Sequence, residues 1–275
     1  MTMSRSQRIV ASLRAAALMG LVLAVLVALA LTVAHRSAGA QSSKPMRVLF
    51  IGNSYTYVNN LPGVLIDMAK AAHERTFDPT VVLVGGSTLE AHLTRGDAMR
   101  EIEKGGWDYV IVQEQSTRPM DAPAAFFRDV PTFAAAVKKV GAKMVLYESW
   151  AREVAPQLQD SLSRMYHQAA VASNVSLAHV GEAWAAYRAT EHVTAPEHSA
   201  LFLADGSHPT PTGTYVAASV FYATLYGKSP VGLPPVARNG RQQPPVGPTL
   251  DSPRDSISAQ VAAKIQQLAW NAVKK

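Results

Sequence analysis

From Lys44 onward the chain alternates between short runs rich in Val, Ile and Leu and longer segments whose apolar positions recur at helical spacing. The short runs are residues 46–51, 80–84, 109–112, 143–147 and 175–180, and they lack the in-out alternation of a half-exposed strand. Runs of that kind are expected of parallel strands covered on both faces. Between them, residues 61–74, 89–104, 122–140 and 157–173 predict amphipathic helices. In the first of these, Leu61, Leu65, Met68 and Ala72 share one face. A further helix is expected over 212–226, starting behind Pro209 and Pro211 and ending at Gly227, and a last one over 256–273. Residues 229–254 carry seven prolines and no apolar period, which predicts a wrapped surface loop. Strand–helix alternation of this kind builds a three-layer α/β/α sandwich on a five-stranded parallel sheet with right-handed crossovers. In such a sheet, functional groups belong at the carboxyl ends of the strands, beside the topological switch point.

The first 40 residues follow a different rule. A basic start (Arg5, Arg8, Arg14) leads into the 20-residue apolar stretch 15–34, and Ala38-Gly39-Ala40-Gln41 closes it with a small-residue cleavage pattern. Two readings stand: a secretory signal peptide cut after Ala40, or a retained anchor, since 20 apolar residues at about 1.5 Å each span a bilayer core. Either way the folded part, 41–275, is expected to be exported, to a periplasm or the outside, with the membrane met only through 15–34. The leader also explains the charge. The formal net charge is +6, but 1–40 contain four arginines and no acidic residue, so 41–275 hold 22 basic against 20 acidic side chains. No basic stripe remains, and nucleic acid is not an expected partner. The chain has no cysteine, which excludes disulfides, a cysteine nucleophile, a Cys-based zinc site and a lipoprotein anchor.

Two short motifs carry candidate chemistry. The first strand ends in Gly52-Asn53-Ser54-Tyr55-Thr56, which places a serine hydroxyl at the carboxyl end of a strand and at the start of the next helix. Taken alone, that serine is equally a helix cap. The second motif is Asp205-Gly206-Ser207-His208-Pro209, where Pro209 and Pro211 keep the segment a loop. An Asp three residues before a His can fold its carboxylate onto Nδ1 and leave Nε2 for a serine proton. Taken alone, it is equally an Asp turn beside a surface imidazole.

Together the two motifs resemble the SGNH (GDSL-like) hydrolases, over roughly residues 47–226 and in the family's order and spacing. The resemblance implies a flavodoxin-like sandwich over 41–228, with 229–275 as a Pro-rich wrap and a C-terminal helix packed on it. It further implies a serine esterase with Ser54 as nucleophile, His208 as base and Asp205 as its partner. An oxyanion hole is implied at the Ser54 N–H, the Gly86 N–H of Gly85-Gly86-Ser87, and an amide after the third strand. There the chain departs from the family's Gly-x-Asn and reads Gln113-Glu114-Gln115-Ser116, similar to the Gln-Gly-Glu of carbohydrate-esterase branches. Gln113 is the expected donor, with Gln115 as the substitute. No metal and no organic cofactor are implied. The substrate is expected to be a small-molecule or polysaccharide ester, with O-acetyl groups on carbohydrate as the leading case. The rivals are an O-acyltransferase using the same three residues and an inert glycan-binding envelope protein. Trp150 and Glu148, after the fourth strand, read first as structural. His192 and His198 fit no helical ligand spacing and read as a solvated loop. The Gly-x-Ser-x-Gly elbow, the Walker loop, Gly-x-Gly-x-x-Gly and His-Glu-x-x-His are all missing from the sequence.

Overall fold

A computed structural model describes residues 44–191, 199–236 and 257–274. The leader, the His192/His198 pair and most of the Pro-rich stretch lie outside the described residues. Five strands, β1 (Met46–Gly52), β2 (Phe77–Leu83), β3 (Tyr109–Gln113), β4 (Lys143–Tyr147) and β5 (Ser176–Ala178), form one sheet of order β2-β1-β3-β4-β5. Every pairing in it is parallel. Consecutive side chains of a strand leave on opposite faces, and both faces here are covered. Val48, Phe50, Ile111, Val145 and Tyr147 enter one apolar core, and Leu49, Ile51, Val110, Val112 and Leu146 enter the other. That double burial is the physical reason the strands read as unbroken apolar runs.

Ten helices in the described residues cover the sheet. They are α1 (Ser54–Tyr57), α2 (Leu61–Ala71), α3 (Leu89–Arg95), α4 (Asp97–Glu103), α5 (Arg118–Asp121), α6 (Pro123–Lys139), α7 (Gln159–Ser173), α8 (Val180–Arg188), α9 (Pro211–Tyr226) and α10 (Ala259–Val273). A 3-10 turn, Pro156–Leu158, precedes α7. The first core is closed by α2, α8, α9 and α10, and the second by α3, α4, α6 and α7. Ala262, Ile265, Ala269 and Ala272 of α10 are buried in the first core, so the C-terminal helix is part of the packed body. Among the described residues no helix is long and apolar enough to cross a membrane.

Three expectations need correction. The segment read as one helix over 89–104 is two, because Gly96 takes the left-handed conformation (φ +73°) that ends α3, its N–H bonding back to the His92 carbonyl. The second strand begins at Phe77 rather than residue 80. It lies at the sheet edge, where Pro79 is tolerated within a strand. The fifth strand keeps only three residues. Val180, Ala183, Trp184 and Tyr187 fall at helical spacing, all four are buried, and α8 takes Val180 from the strand.

Candidate active site

The sheet order reverses between β1 and β3, so the loops leaving their carboxyl ends flank the crevice where α/β sheets place ligands. β1 feeds Gly52-Asn53-Ser54. Asn53 is extended (φ −141°) and caps α1, its Oδ1 accepting the Tyr55 N–H at 3.2 Å. Ser54 is therefore the first residue of a one-turn helix, and it is 93% buried, with 7% exposure. A side chain at position 52 is excluded, because a Cβ there would lie 2.6 Å from Gln113 Oε1. The Gly52 carbonyl accepts the Val84 N–H at 3.1 Å and His92 Nε2 at 2.8 Å. Arg95 donates to His92 Nδ1 at 2.8 Å, which leaves the proton of the neutral ring on Nε2. Burial holds His92 below the ordinary imidazole range, consistent with that neutral form.

The second motif is a tight loop entering α9. Leu203 N–H donates to the His208 carbonyl at 2.8 Å, and Phe202 bridges to Pro209. Asp205 Oδ1 accepts the backbone N–H groups of Ser207 and His208, both at 2.9 Å. Its Oδ2 lies 2.5 Å from His208 Nδ1, and His208 Nε2 lies 2.8 Å from Ser54 Oγ. Partial burial works against the Asp205 charge, but the His208 N–H, the His208 ring and the Ser207 N–H together hold it below the usual carboxylate range. An ionised Asp205 accepts only, so Nδ1 carries the imidazole proton and Nε2 offers its lone pair to the serine hydroxyl.

An aromatic ladder docks this loop. Tyr55 stacks on Trp150 at 4.3 Å, and Trp150 stacks on Trp184 at 3.9 Å. Trp150 Nε1 donates to the Ser207 carbonyl at 2.9 Å, Tyr55 Oη is 2.8 Å from Ser207 Oγ, and Asn59 Nδ2 donates to the Pro209 carbonyl at 2.8 Å. Trp150 is fully buried and does not line the cleft, in keeping with a structural role. Glu148 is also fully buried, with Oε1 accepting from Gln159 and Ser163.

The cleft over these groups has a volume of about 200 Å³ and is lined by Ser54, Gly86, Gln115, Ser116, Arg152 and His208 among others. Within the described residues, neither the Ser54 N–H nor the Gly86 N–H has a protein acceptor. The two glutamines differ from what their order on the strand suggests. Gln113 is fully buried and is not among the residues lining the cleft. Its Nε2 donates to Asn53 Oδ1 at 2.8 Å and to the Glu114 carbonyl at 2.7 Å. Its Oε1 accepts from Asn53 N at 3.1 Å and Thr56 Oγ1 at 2.9 Å. Gln115 does line the cleft. The N–H groups of Thr117 and Arg118 both donate to its Oε1 at 3.0 Å, so its NH₂ end is fixed in orientation. Between the two, buried Glu114 accepts the Leu89 N–H at 3.0 Å and the Gln115 N–H at 2.7 Å through Oε1. Burial pushes its carboxyl up to about 7.

The structure thus brings Ser54, His208, Gly86 and Gln115 to one cleft, joins Asp205 to it through His208, and leaves Gln113 beneath it. Sequence reasoning missed the supporting groups Asn53, His92, Glu114 and Tyr55. Asn53 and Tyr55 flank Ser54 in its own motif. His92 is signalled only by its place three residues after Leu89, which puts a polar side chain on the buried face of α3.

No family model matches the sequence, and neither does any curated protein. Solved structures do match. A protein from Slackia heliotrinireducens assigned as an SGNH hydrolase is 30% identical with a TM-score of 0.55, over 66% of this chain and 100% of its own. A lipase/acylhydrolase from Enterococcus faecalis is 17% identical (TM-score 0.55), and an acetylxylan esterase from Geobacillus stearothermophilus 16% identical (TM-score 0.54). Each of these two is covered over 96% of its length, against 66% and 67% of this chain, and at such identities the likeness speaks for the fold. With the Slackia protein matched over its whole length at 30% identity, this chain belongs to the SGNH hydrolases.

Proposed function

We propose that the protein is a serine esterase working through an acyl-enzyme on Ser54. The observation that carries this reading is the unbroken series Ser54 Oγ, His208 Nε2, His208 Nδ1, Asp205 Oδ2, with spacings of 2.8 and 2.5 Å across the two polar contacts. A serine hydroxyl becomes a usable nucleophile when a neighbouring base accepts its proton. In this account Ser54 Oγ attacks the ester carbonyl while His208 Nε2 takes the proton. Asp205 holds the ring tautomer and offsets the imidazolium charge. The C–O bond breaks as His208 returns the proton to the departing alcohol. His208 then removes a proton from water, the hydroxide oxygen adds to the acyl carbon, and Ser54 leaves with its hydroxyl restored.

The developing oxyanion is received by the Ser54 and Gly86 N–H groups and by the Gln115 amide, with Gln113 positioning the loop from below. Gln115 takes the donor role because its NH₂ group lies at the cleft and donates to one protein acceptor, Ser116 Oγ at 3.2 Å, which leaves its second N–H for the oxyanion, whereas Gln113 Nε2 already donates to two. The substrate class we propose is an O-acetylated carbohydrate met outside the cytoplasm. A cleft of about 200 Å³ suits a short acyl group, and the leader over 1–40 with its Ala-Gly-Ala-Gln41 site supports export. The acetylxylan esterase among the similar structures acts on a substrate of that class.

The test is release of acetate from aryl acetates and acetylated sugars by wild type and Ser54→Ala. The alanine variant is expected to lose kcat by on the order of 10⁴-fold or more. Undiminished turnover would sink the reading, and acylated sugar accumulating in place of free acetate would move it to acyl transfer.

A further inference from the structure

Away from the cleft, α7 and the start of α8 bring two imidazoles onto one carboxylate. His167 Nε2 lies 2.8 Å from Glu182 Oε1, and His179 Nδ1 lies 3.2 Å from the same oxygen. The two rings are 4.9 Å apart and tilted by 49°, so they converge on that oxygen without stacking on each other. All three ligand atoms fall within 4.8 Å of one another. His179 stands at the N-cap position of α8 and Glu182 in its first turn, a three-residue separation that brings both side chains to the same end of the helix. His167 reaches them from α7. Its side chain is 47% exposed, and those of His179 and Glu182 are 19% and 18% exposed. The cluster is therefore reachable from solvent while two of its members are well packed.

We infer that His167, His179 and Glu182 form a binding site for a divalent metal ion of the zinc class. Two imidazole nitrogens and one carboxylate oxygen are borderline donors that favour Zn²⁺ and its late first-row neighbours over Mg²⁺ or Ca²⁺. With bonds of about 2.0–2.1 Å, tetrahedral zinc holds its ligand atoms roughly 3.3 Å apart. The two contacts of 2.8 and 3.2 Å are close to that spacing, so small side-chain shifts admit the ion. Each ring offers its lone pair by moving its proton to its other nitrogen, and the fourth position is left to solvent. A bound ion would cross-link α7 to α8, and α8 carries Trp184, the outer member of the ladder that ends at Tyr55 beside Ser54. None of the three ligands lines the cleft, so the site lies apart from the esterase machinery and does not rest on the esterase reading.

The test uses untagged full-length protein stripped with chelator and titrated calorimetrically with Zn²⁺. One equivalent is expected to bind, unaffected by excess Mg²⁺ or Ca²⁺ and retained in His208→Ala, which excludes capture by the active-site imidazole. Zinc a hundredfold above its Kd should raise Tm by about 5–10 °C. Both effects should vanish in His167→Ala, in the milder His167→Gln and in Glu182→Gln, while acetate release by His167→Gln without zinc stays at the wild-type rate. X-ray absorption should report two imidazole nitrogens at about 2.0–2.1 Å. Absence of saturable binding would overturn the inference, as would binding retained by the His167 variants.

Discussion

Beneath Ser54 the cleft rests on Asn53, Gln113 and His92, all essentially buried and joined by amide and imidazole hydrogen bonds. On the opposite side, His208 and Asp205 keep 22% and 40% of their side chains in solvent, on a loop held by an aromatic stack and three polar contacts. The difference follows from what each side has to do. The nucleophile and the oxyanion donors must stay where they are when charge develops, and a buried, fully paired amide network resists reorganisation. The imidazole must exchange protons with alcohol and water in every cycle, which suits a ring open to solvent. Removing one chemical group on the open side should therefore reduce rate and spare the fold, whereas removing one on the buried side should disturb both.

Asp205→Asn carries the largest expected effect of the substitutions that test this contrast. The amide still fits the loop but stabilises the wrong tautomer of His208, so kcat should fall by on the order of 10⁴-fold. Circular dichroism and Tm should stay near wild type. A drop in Tm matching the loss of rate would place Asp205 with the buried half instead.

The two glutamines sharpen the comparison further. Gln115→Ala should lower kcat by about 10²–10³-fold with little change in KM, as removal of a transition-state donor does. Gln113→Ala leaves the Asn53 N–H and the Thr56 hydroxyl without their acceptor in a buried setting. It should cost about 2–4 kcal/mol of stability, seen as a fall in denaturation midpoint. Activity should fall as well, through displacement of Asn53. A Gln113 variant of unchanged stability, with a large effect on kcat alone, would return the donor role to Gln113.

That pair also marks where the sequence stops being legible. Ser54, Gly86, Asp205 and His208 each sit in a short motif just beyond a strand or before a helix, so locating the elements was enough to bring them together. Choosing between Gln113 and Gln115 is a question of two residues at the end of β3. It is decided by Gly52, whose missing side chain lets Gln113 pack against β1. The sheet and most helices were readable because both sheet faces are buried, which makes the apolar pattern strong. The break at Gly96 and the shortening of β5 were less so, because a local cap and a competing helical period decide them. The His92–Gly52 contact spans 40 residues, and no periodicity reports it.

Glu114 gives the smallest effect, and one of opposite character to Asp205. Its carboxyl is raised from 4.5 to about 7, with burial as the leading cause. Below pH 4.5 the folded and unfolded chains both hold the proton, and its contribution to stability is fully present. Between 4.5 and about 7 the unfolded chain releases a proton that the folded one keeps, so stability is lost as pH rises, by on the order of 3 kcal/mol in total. Urea midpoints measured from pH 4.5 to 7.5 should show this slope in wild type and lose it in Glu114→Gln. A slope shared by both would assign it to another group.

The claim at the centre of the account is that His208 draws the proton from Ser54 and from no other serine. Covalent labelling with a serine-directed aryl phosphonate, followed by peptide mass mapping, tests it most directly. The account predicts a single adduct on Ser54 in the wild-type protein, almost none in His208→Ala, and a strongly slowed one in Asp205→Asn. An adduct on a different serine, or Ser54 labelled as fast without His208 as with it, would contradict it.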